Sequence, residues 1–522
     1  MALRFHRWTV VAVAVCLAAA CAGCGTRLHL GNGAGLTSGG SQSLAGSGLG
    51  GQAGAGQAGS GAGAASGAAL GSAGAGLGGA GGGSSGGGTS LSGVQTGAGS
   101  GGGTGGAGAG RVPGVTASTL TIGFTYSDTA TFKQFASACP ACATFGDQTY
   151  HPALYAQLAD DINSRGGVLG RKVAFSGYAY DSSAAVSDSS QLNSTVQAAC
   201  QNFSTDHPAF AVVSSFGSII SPCLTKSGIS TMTPSGGIGD TVDAATLASS
   251  LLYASGASET DNYEPVYVSR LAAQHYFSGW DPTQGAPGPQ PLKIGLVSFS
   301  DPWLARTDQL LEKALKAAGY QIADHIWYSA ELDVQSQNVQ NAILKFRSEG
   351  VTHVMGTGAN GLFMYESVGQ NYYPRYAYQT GSISDTDANS QKGLRGSIGE
   401  GVFPVADIDP SAGEPNVGPM QAKCEQIATK AGIGWQSNQG YHADVLSVCA
   451  AVWDLMAAAA KGGILTAPGL AGGFNNLGTI GSAVSFGETW SAGRHASANT
   501  MADFQYMPAC SCFKYTGVRT PF

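Results

Sequence analysis

The sequence has 522 residues, of which 81 are glycine, and only 11% of the residues are charged. All 32 acidic residues follow residue 110, together with 22 of the 25 basic residues, so this part of the chain has an acidic excess. Nucleic-acid binding needs basic surfaces that neutralise phosphates, and the composition argues against such a partner. From Arg111 onward the chain is long enough for two domains of ordinary size.

The N-terminal segment has the features of an export signal. Two arginines precede an apolar run at residues 8–20 that is too short to span a bilayer comfortably, which predicts a secretory signal. Cys21 and Cys24 follow small residues, and the segment resembles a bacterial lipoprotein signal. The resemblance implies a signal peptide over residues 1–24, lipidation of Cys24 (or Cys21), and anchoring to the outer face of the cell membrane. The alternative is an ordinary signal peptide and a freely secreted protein.

A low-complexity segment follows the signal. Residues 31–110 are almost entirely Gly, Ala and Ser, with no Asp, Glu, Lys or Arg. Such a segment cannot bury enough apolar surface to offset its ordering entropy. A flexible coil of this length has a root-mean-square span on the order of 50 Å. We therefore interpret residues 25–114 as a disordered tether.

Strands and helices alternate after the tether. Residues 119–125 alternate in the manner of a strand, and a helix is predicted where Leu154, Leu158 and Ile162 recur at four-residue spacing. That helix should end at Gly166-Gly167, since glycine readily adopts the left-handed cap. The alternation predicts parallel βαβ units with right-handed crossovers. The series continues with a strand at 173–175, a helix at 184–200 and a strand at 210–213.

The pattern restarts after a Pro- and Gly-rich stretch at residues 281–291. A second βα series predicts a second open sheet instead of one oversized domain. A later helix at 441–461 carries an apolar stripe, which we interpret as packing without a cofactor role. In the second series we predict strands at 293–297, 321–327 and 351–355, and helices at 310–318 and around Val339 and Ile343.

The folded region contains eight cysteines, and an even number suggests disulfides outside the cytoplasm. From their positions relative to the predicted elements, we pair Cys200 with Cys223 and Cys424 with Cys449. The sequence does not fix the pairing of the other four cysteines, which form two pairs of near neighbours. Each pair could form a local disulfide, the two pairs could cross-link, or all four thiolates could bind zinc. A redox-active pair is a further option that the sequence does not support. These four are Cys139, Cys142, Cys510 and Cys512. No other metal site and no cofactor is predicted.

One motif identifies a family resemblance. Residues 160–173, Asp-Asp-Ile-Asn-Ser-Arg-Gly-Gly-Val-Leu-Gly-Arg-Lys-Val, resemble the helix–turn–strand of the branched-chain amino acid binding proteins, the type I periplasmic binding proteins of ABC importers. In that family an Asn, a Gly-Gly turn and a Gly before a basic residue recur in this arrangement. Further matches in the same order are Phe145-Gly-Asp-Gln, Gly228-Ile-Ser-Thr-Met-Thr-Pro, Asp301-Pro-Trp and Gly356-Thr-Gly. The similarity covers most of residues 115–522.

The resemblance implies an α/β fold of two lobes. In the two-lobed type I periplasmic binding protein fold, each lobe is a parallel sheet flanked by helices, and a three-strand hinge joins the lobes. We place lobe 1 at residues 115–252 plus 402–489, and lobe 2 at residues 253–401 plus 490–522.

Ligands of open α/β sheets bind beyond the carboxyl ends of the strands, so we expect the loops after the strands to line a cleft. Serine hydroxyls and backbone amides there suit a polar oxygen group of the ligand. Each of these residues has an alternative role as an ordinary loop or packing residue. By motif position, the expected ligand-binding residues are Phe145, Phe216, Gly217, Ser218, Ser235 and Gly236 from lobe 1, and Trp303, Thr357, Gly358 and Asn360 from lobe 2.

The sequence departs from the family at one turn. Amino acid binders of this family hold the ligand ammonium with an acidic residue in lobe 2, and the matching turn here, Gln379-Thr-Gly-Ser, has no carboxylate. Burying an ammonium without a charge partner costs several kcal/mol, so we expect no standard α-amino acid as ligand. Asp385 lies close enough in sequence to weaken this inference.

The expected function is capture of a small polar molecule by a monomeric, lipid-anchored protein that delivers it to an ABC permease. A ligand-sensing receptor component for a signalling partner is the closest alternative. An envelope-tethered hydrolase is a further alternative, but the sequence has no Gly-x-Ser-x-Gly elbow, no His-Glu-x-x-His helix and no complete phosphate loop, so we expect no catalysis.

Overall fold

The structure, a computed structural model, describes residues 112–128, 148–181, 189–234, 247–248, 250–300, 302–329, 332–359, 361–379, 392–403, 418–437 and 439–522. Several predicted features lie outside these residues: the signal peptide, the cysteine expected to be lipidated, nearly all of the expected tether, and Cys139 and Cys142.

The first sheet contains five parallel strands in the order β2-β1-β3-β4-β5. Its strands alternate with helices, as the periodicity of the sequence predicts. Its central strands are short and buried on both faces, which is typical of a parallel sheet covered by helices. Its elements and the next helix are β1 (Thr119–Ser127), α1 (His151–Ser164), β2 (Lys172–Tyr180), α2 (Ser189–Gln201), β3 (Ala211–Val213), α3 (Gly217–Lys226), β4 (Ser230–Thr233), β5 (Leu252–Ala254) and α4 (Thr260–Ala273).

The turn after α1 explains the motif at residues 160–173. The Asn163 side chain donates to the carbonyl oxygen of Val173 at 2.9 Å and accepts from its backbone N–H at 2.7 Å, so one amide fastens the helix end to β2. Gly167 has φ +71°, and a Cβ there would lie 1.9 Å from the carbonyl oxygen of Arg171. Only glycine fits this approach without displacing the strand.

The second sheet contains seven strands in the order β16-β15-β12-β11-β10-β8-β9. It is parallel from β12 to β9, but β15 and β16 join its edge antiparallel. The predicted parallel sheet is thus present from β12 to β9, and a late hairpin adds an antiparallel edge to it at β12. Its elements, with a small hairpin that precedes them, are β6 (Trp280–Asp281), β7 (Ala286–Pro287), β8 (Ile294–Phe299), α5 (Pro302–Ala317), β9 (Ile322–Tyr328), α6 (Leu332–Glu349), β10 (His353–Met355), α7 (Gly361–Gly369), β11 (Arg375–Gln379), β12 (Ile398–Gly401), β15 (Thr500–Met507) and β16 (Cys512–Pro521).

The long helix α9 is part of the largest apolar core. Val445, Val448, Val452 and Leu455 on this helix are at most 1% exposed and pack with residues of both sheets. Among the described residues, α9 contains the one segment long and apolar enough to cross a membrane, and most of that segment is buried inside the protein. The remaining elements are α8 (Pro419–Lys430), α9 (Gln439–Gly462), α10 (Ala467–Asn475), β13 (Gly478–Ile480) and β14 (Glu488–Trp490).

Three disulfides link neighbouring parts of the fold. Cys200–Cys223 joins α2 to α3, and Cys424–Cys449 joins α8 to α9, so both predicted pairings are confirmed. Cys510–Cys512 closes locally between β15 and β16, which selects one of the alternatives left open for these residues. These two thiols are therefore not available as zinc ligands.

Candidate functional site

A polar cavity of about 40 Å³ lies at the carboxyl ends of β1, β3 and β4. One water needs about 10–15 Å³ of such space, so the cavity has room for a small functional group of a ligand. The first turn of α1 and the first half of α9 complete its wall. The lining residues are Thr125, Gln148, His151, Tyr155, Val213, Ser214, Ser215, Pro234, Asp444 and Val448.

Asp444 is the centre of a hydrogen-bond network in this wall. Its Oδ2 accepts from the Tyr150 hydroxyl at 2.5 Å and lies 2.6 Å from Nε2 of His151, while Oδ1 accepts from Nε2 of Gln148 at 3.4 Å. Burial raises the pKa of Asp444, but the charge of His151 and the three hydrogen bonds outweigh it, so the pKa of the carboxyl lies below its ordinary value. Asp444 is therefore ionised at neutral pH.

One imidazole nitrogen of His151 is hydrogen-bonded, and the other has no hydrogen-bond partner among the described residues. The residue is 3% exposed, and its Nδ1 is buried with no hydrogen-bond partner among the described residues. A buried polar atom without a partner costs about 1–3 kcal/mol. The wall of the cavity therefore contains an unsatisfied polar group, as expected of a site that is completed by a ligand or by water.

Hydroxyl groups form the opposite wall. Thr125 lies near the carboxyl end of β1, and Ser214 directly follows β3. Their hydroxyl oxygens share a hydrogen bond at 2.9 Å. Ser214 also accepts from the backbone N–H of Phe216 at 3.1 Å. The next residue, Ser215, is half-buried and lies 3.4 Å from the Tyr180 hydroxyl. Since each hydroxyl pair has two hydrogens and one mutual bond, each pair retains an O–H to donate.

No protein-family model matches the sequence, and no curated protein matches it. The fold, in contrast, is similar to that of many solved structures. A branched chain amino acid ABC transporter from Thermus thermophilus with bound valine has a TM-score of 0.52 and 14% identity, over 77% of this chain and 97% of that one. A solute binding protein of an ABC transporter from Rhodopseudomonas palustris, in complex with 3,4-dihydroxy benzoic acid, has a TM-score of 0.52 and 10% identity, over 77% and 97%. A fatty acid ABC transporter substrate-binding protein from Thermomonospora curvata has a TM-score of 0.51 and 13% identity, over 79% and 95%.

The chain has the type I periplasmic binding protein fold. In this periplasmic binding protein fold the cavity lies where open α/β sheets generally bind ligands, outside the carboxyl ends of the strands.

The residues expected from the first sheet separate into three groups. Phe145, Ser235 and Gly236 lie outside the described residues. Phe216 is buried, with its ring centroid 4.5 Å from that of Tyr180, and Gly217 begins α3. Ser218 follows in α3 and is half-buried. The structure thus brings Ser214 and Ser215, the two residues just before Phe216, to the cavity wall, and the nominated residues follow them in the chain.

The residues expected from the second sheet follow β8 and β10. Trp303 lies in α5, and Asn360 is outside the described residues. Thr357 donates to Asp308 through both its backbone N–H and its hydroxyl, and the Gly358 carbonyl accepts from the Tyr328 hydroxyl at 2.8 Å. Burial raises the pKa of Asp308 to about 6, although hydrogen bonds from Thr357 and Ser298 oppose this. The polar groups at the end of β10 therefore bond to the protein itself.

Gln379, at the turn where the family has an acidic residue, also bonds to the protein. Its Nε2 donates to both carboxylate oxygens of Glu264, at 2.9 and 3.0 Å. Burial raises the pKa of Glu264 well above its ordinary value, and the nearby Asp308 adds to this, while the bond from Gln379 opposes it. Asp385 lies outside the described residues.

None of the described residues that line the cavity was nominated from the sequence, and those missed include Gln148, His151 and Asp444. A signal existed for Asp444, because this charged residue lies four residues before Val448 on the same face of a largely apolar helix. His151 begins α1 and is followed by proline, a residue favoured in the first turn. Neither signal indicates the direction of the side chain, because that direction depends on how the helices pack.

One arrangement resembles a hydrolase triad. Nε2 of His325 lies 2.8 Å from the Ser298 hydroxyl, and its Nδ1 lies 3.0 Å from Oε2 of Glu312. Ser298, however, is 0% exposed within β8, so a substrate carbonyl cannot reach its hydroxyl. We interpret the three side chains as a structural network that satisfies buried polar groups.

Proposed function

We propose that the protein is an extracytoplasmic solute-binding lipoprotein that captures a small polar molecule and delivers it to an ABC importer. The unpartnered Nδ1 of His151, in a polar cavity at the carboxyl ends of parallel strands, is the observation that supports solute binding. The fold supports the transport role, since the three similar structures described above are named as ABC transporter proteins. The importer partner and the lipid anchor rest on the sequence motifs.

The ligand is not a standard α-amino acid in this proposal. Gln379 offers no carboxylate, and Asp444 in the cavity already accepts from three protein donors. An α-ammonium would therefore lack a free charge partner among the described residues of the cavity. The similar structures are named for valine, a dihydroxybenzoic acid and fatty acids, so the fold itself leaves the solute class open.

Native mass spectrometry of freshly purified full-length protein tests solute binding. We expect a retained small molecule that leaves on mild unfolding and whose return raises the melting temperature, because a ligand that binds only the folded state stabilises it. A protein that retains nothing, and that shows no thermal shift across a broad library of small polar solutes, would contradict the proposal.

Metabolic labelling with a tagged fatty acid tests the anchor. We expect Cys24→Ala to abolish labelling and release the protein from the membrane fraction, because acyl chains contribute about 0.8 kcal/mol for each buried methylene. Cys21→Ala is the matched control and should leave labelling intact. Unlabelled wild-type protein in the soluble fraction would show that the alternative, a freely secreted product, is correct.

A further inference from the structure

We propose that the cavity recognises a neutral, hydroxyl-bearing solute, such as a polyol or a sugar, through a hydrogen bond with Nδ1 of His151. This inference rests on the proposed function and names the solute class of the same site.

The bonding of His151 determines what Nδ1 can do. Nε2 lies 2.6 Å from Oδ2 of Asp444, and an ionised carboxylate can only accept, so Nε2 carries a hydrogen. Nδ1 accepts a hydrogen bond in a neutral ring and donates one in a charged ring, and a hydroxyl can bond to it in either state. Nδ1 has no partner among the described residues, so a ligand hydroxyl can supply the missing hydrogen bond.

The charges of the cavity argue against both anions and cations. Among the described residues that line the cavity, Asp444, His151 and Tyr155 are the titratable groups, and none is Lys or Arg. An anion would meet the carboxylate of Asp444 in a partly desolvated site, where like charges repel strongly. A cation would find both oxygens of Asp444 already bonded to Tyr150, His151 and Gln148. A neutral ligand avoids both costs.

A hydroxyl matches the remaining hydrogen-bond groups. It donates once and accepts on its lone pairs. The cavity offers Nδ1, to which a hydroxyl can bond as donor or as acceptor, and the spare O–H of the Thr125–Ser214 and Ser215–Tyr180 pairs as donors. Val213, Pro234 and Val448 supply apolar surface for the carbon skeleton of a polyol.

Calorimetry on the full-length protein tests the solute class. The probes are erythritol, xylitol, ribose and glucose, with valine and 3,4-dihydroxybenzoate as the carboxylates. We expect at least one of the polyols or sugars to bind and neither carboxylate to bind. Binding of a carboxylate alone, or native mass spectrometry that identifies a retained solute without hydroxyl groups, overturns the inference but leaves the proposed function intact. Failure of the whole panel together with the absence of any retained solute counts against the proposed function itself.

His151→Gln tests the contact. The glutamine amide can still donate to Asp444 but places no hydrogen-bonding atom at the position of Nδ1, so we expect at least a 10-fold weaker affinity for the bound polyol or sugar. The matched control is His442→Gln, the same change at a buried histidine of α9 that lies 2.9 Å from Glu425 and does not line the cavity. It should keep the affinity within about 2-fold of wild type. Equal affinities for wild type and His151→Gln contradict the contact.

Nitrogen NMR of the wild-type imidazoles gives a readout that needs no variant. We expect the Nδ1 resonance of His151 to shift on addition of the bound polyol or sugar. A resonance that does not respond at saturating ligand overturns the assignment even if His151→Gln fails to fold.

Discussion

Replacing Arg270 by methionine is expected to lower the free energy of unfolding by about 3–5 kcal/mol. Arg270, on α4, donates to both carboxylate oxygens of Asp503 on β15, at 3.0 and 2.5 Å. Asp503 is 3% exposed and lies beside Glu400, whose titration it affects. Without the guanidinium, the carboxylate of Asp503 would remain buried with no charge partner. This unpaired buried charge is what lowers the free energy of unfolding.

Urea denaturation of three variants measures this effect. The double variant Arg270→Met/Asp503→Leu removes both charges and should recover most of the loss, because no lone carboxylate remains. Arg165→Met is the matched control: its partner Asp161 is four residues away on α1 and Arg165 is 56% exposed, so the loss should be below about 1 kcal/mol. If the double variant is no more stable than Arg270→Met, the buried charge is not the cause.

Glu400→Gln is expected to stabilise the protein at neutral pH and to flatten its pH dependence. Burial, together with the charge and hydrogen bonding of Asp503, raises the pKa of Glu400 to about 9, against the opposing effects of Arg270 and Gln274. The folded state therefore keeps the proton that an unfolded glutamate loses near pH 4.3. The stabilisation that protonated Glu400 contributes is fully present below about pH 4.3 and is lost as the pH rises towards 9. By pH 7 the loss is on the order of 3 kcal/mol.

The measurement is the free energy of unfolding of wild type and Glu400→Gln from pH 4 to pH 8. The two curves should diverge above pH 5, with the variant the more stable, since glutamine is neutral at every pH and keeps nearly the same shape. Glu349→Gln, at the surface end of α6, should follow the wild-type curve throughout. Parallel curves for wild type and Glu400→Gln would show that Glu400 is ionised in the folded protein.

Much of the fold was predictable because it depends on local patterns. Alternating strand and helix periodicity located three strands of each sheet and the helices between them. The Asn163 and Gly167 motif located a turn whose geometry accepts few other residues. The pairings of Cys200 with Cys223 and of Cys424 with Cys449 followed from the order of the elements. The antiparallel edge formed by β15 and β16 could not be predicted in this way, because strand direction depends on where a distant segment returns to the sheet.

The candidate site was less predictable because its contacts join distant segments. Asp444 lies 293 residues from His151, and the apolar stripe of α9 does not reveal that this carboxylate faces α1. Thr357 was correctly expected in a loop after a strand, but its partner Asp308 is 49 residues away on α5. A position at a strand end can be inferred from periodicity, whereas the partner of a side chain there depends on how the helices pack.

Each disulfide in the described part of the chain joins cysteines that are consecutive in the sequence, with separations of 23, 25 and 2 residues. An oxidant that acts on thiols in the order in which they emerge during synthesis or translocation would form these native bonds directly. Their maturation should then proceed without an isomerase that rearranges mispaired intermediates.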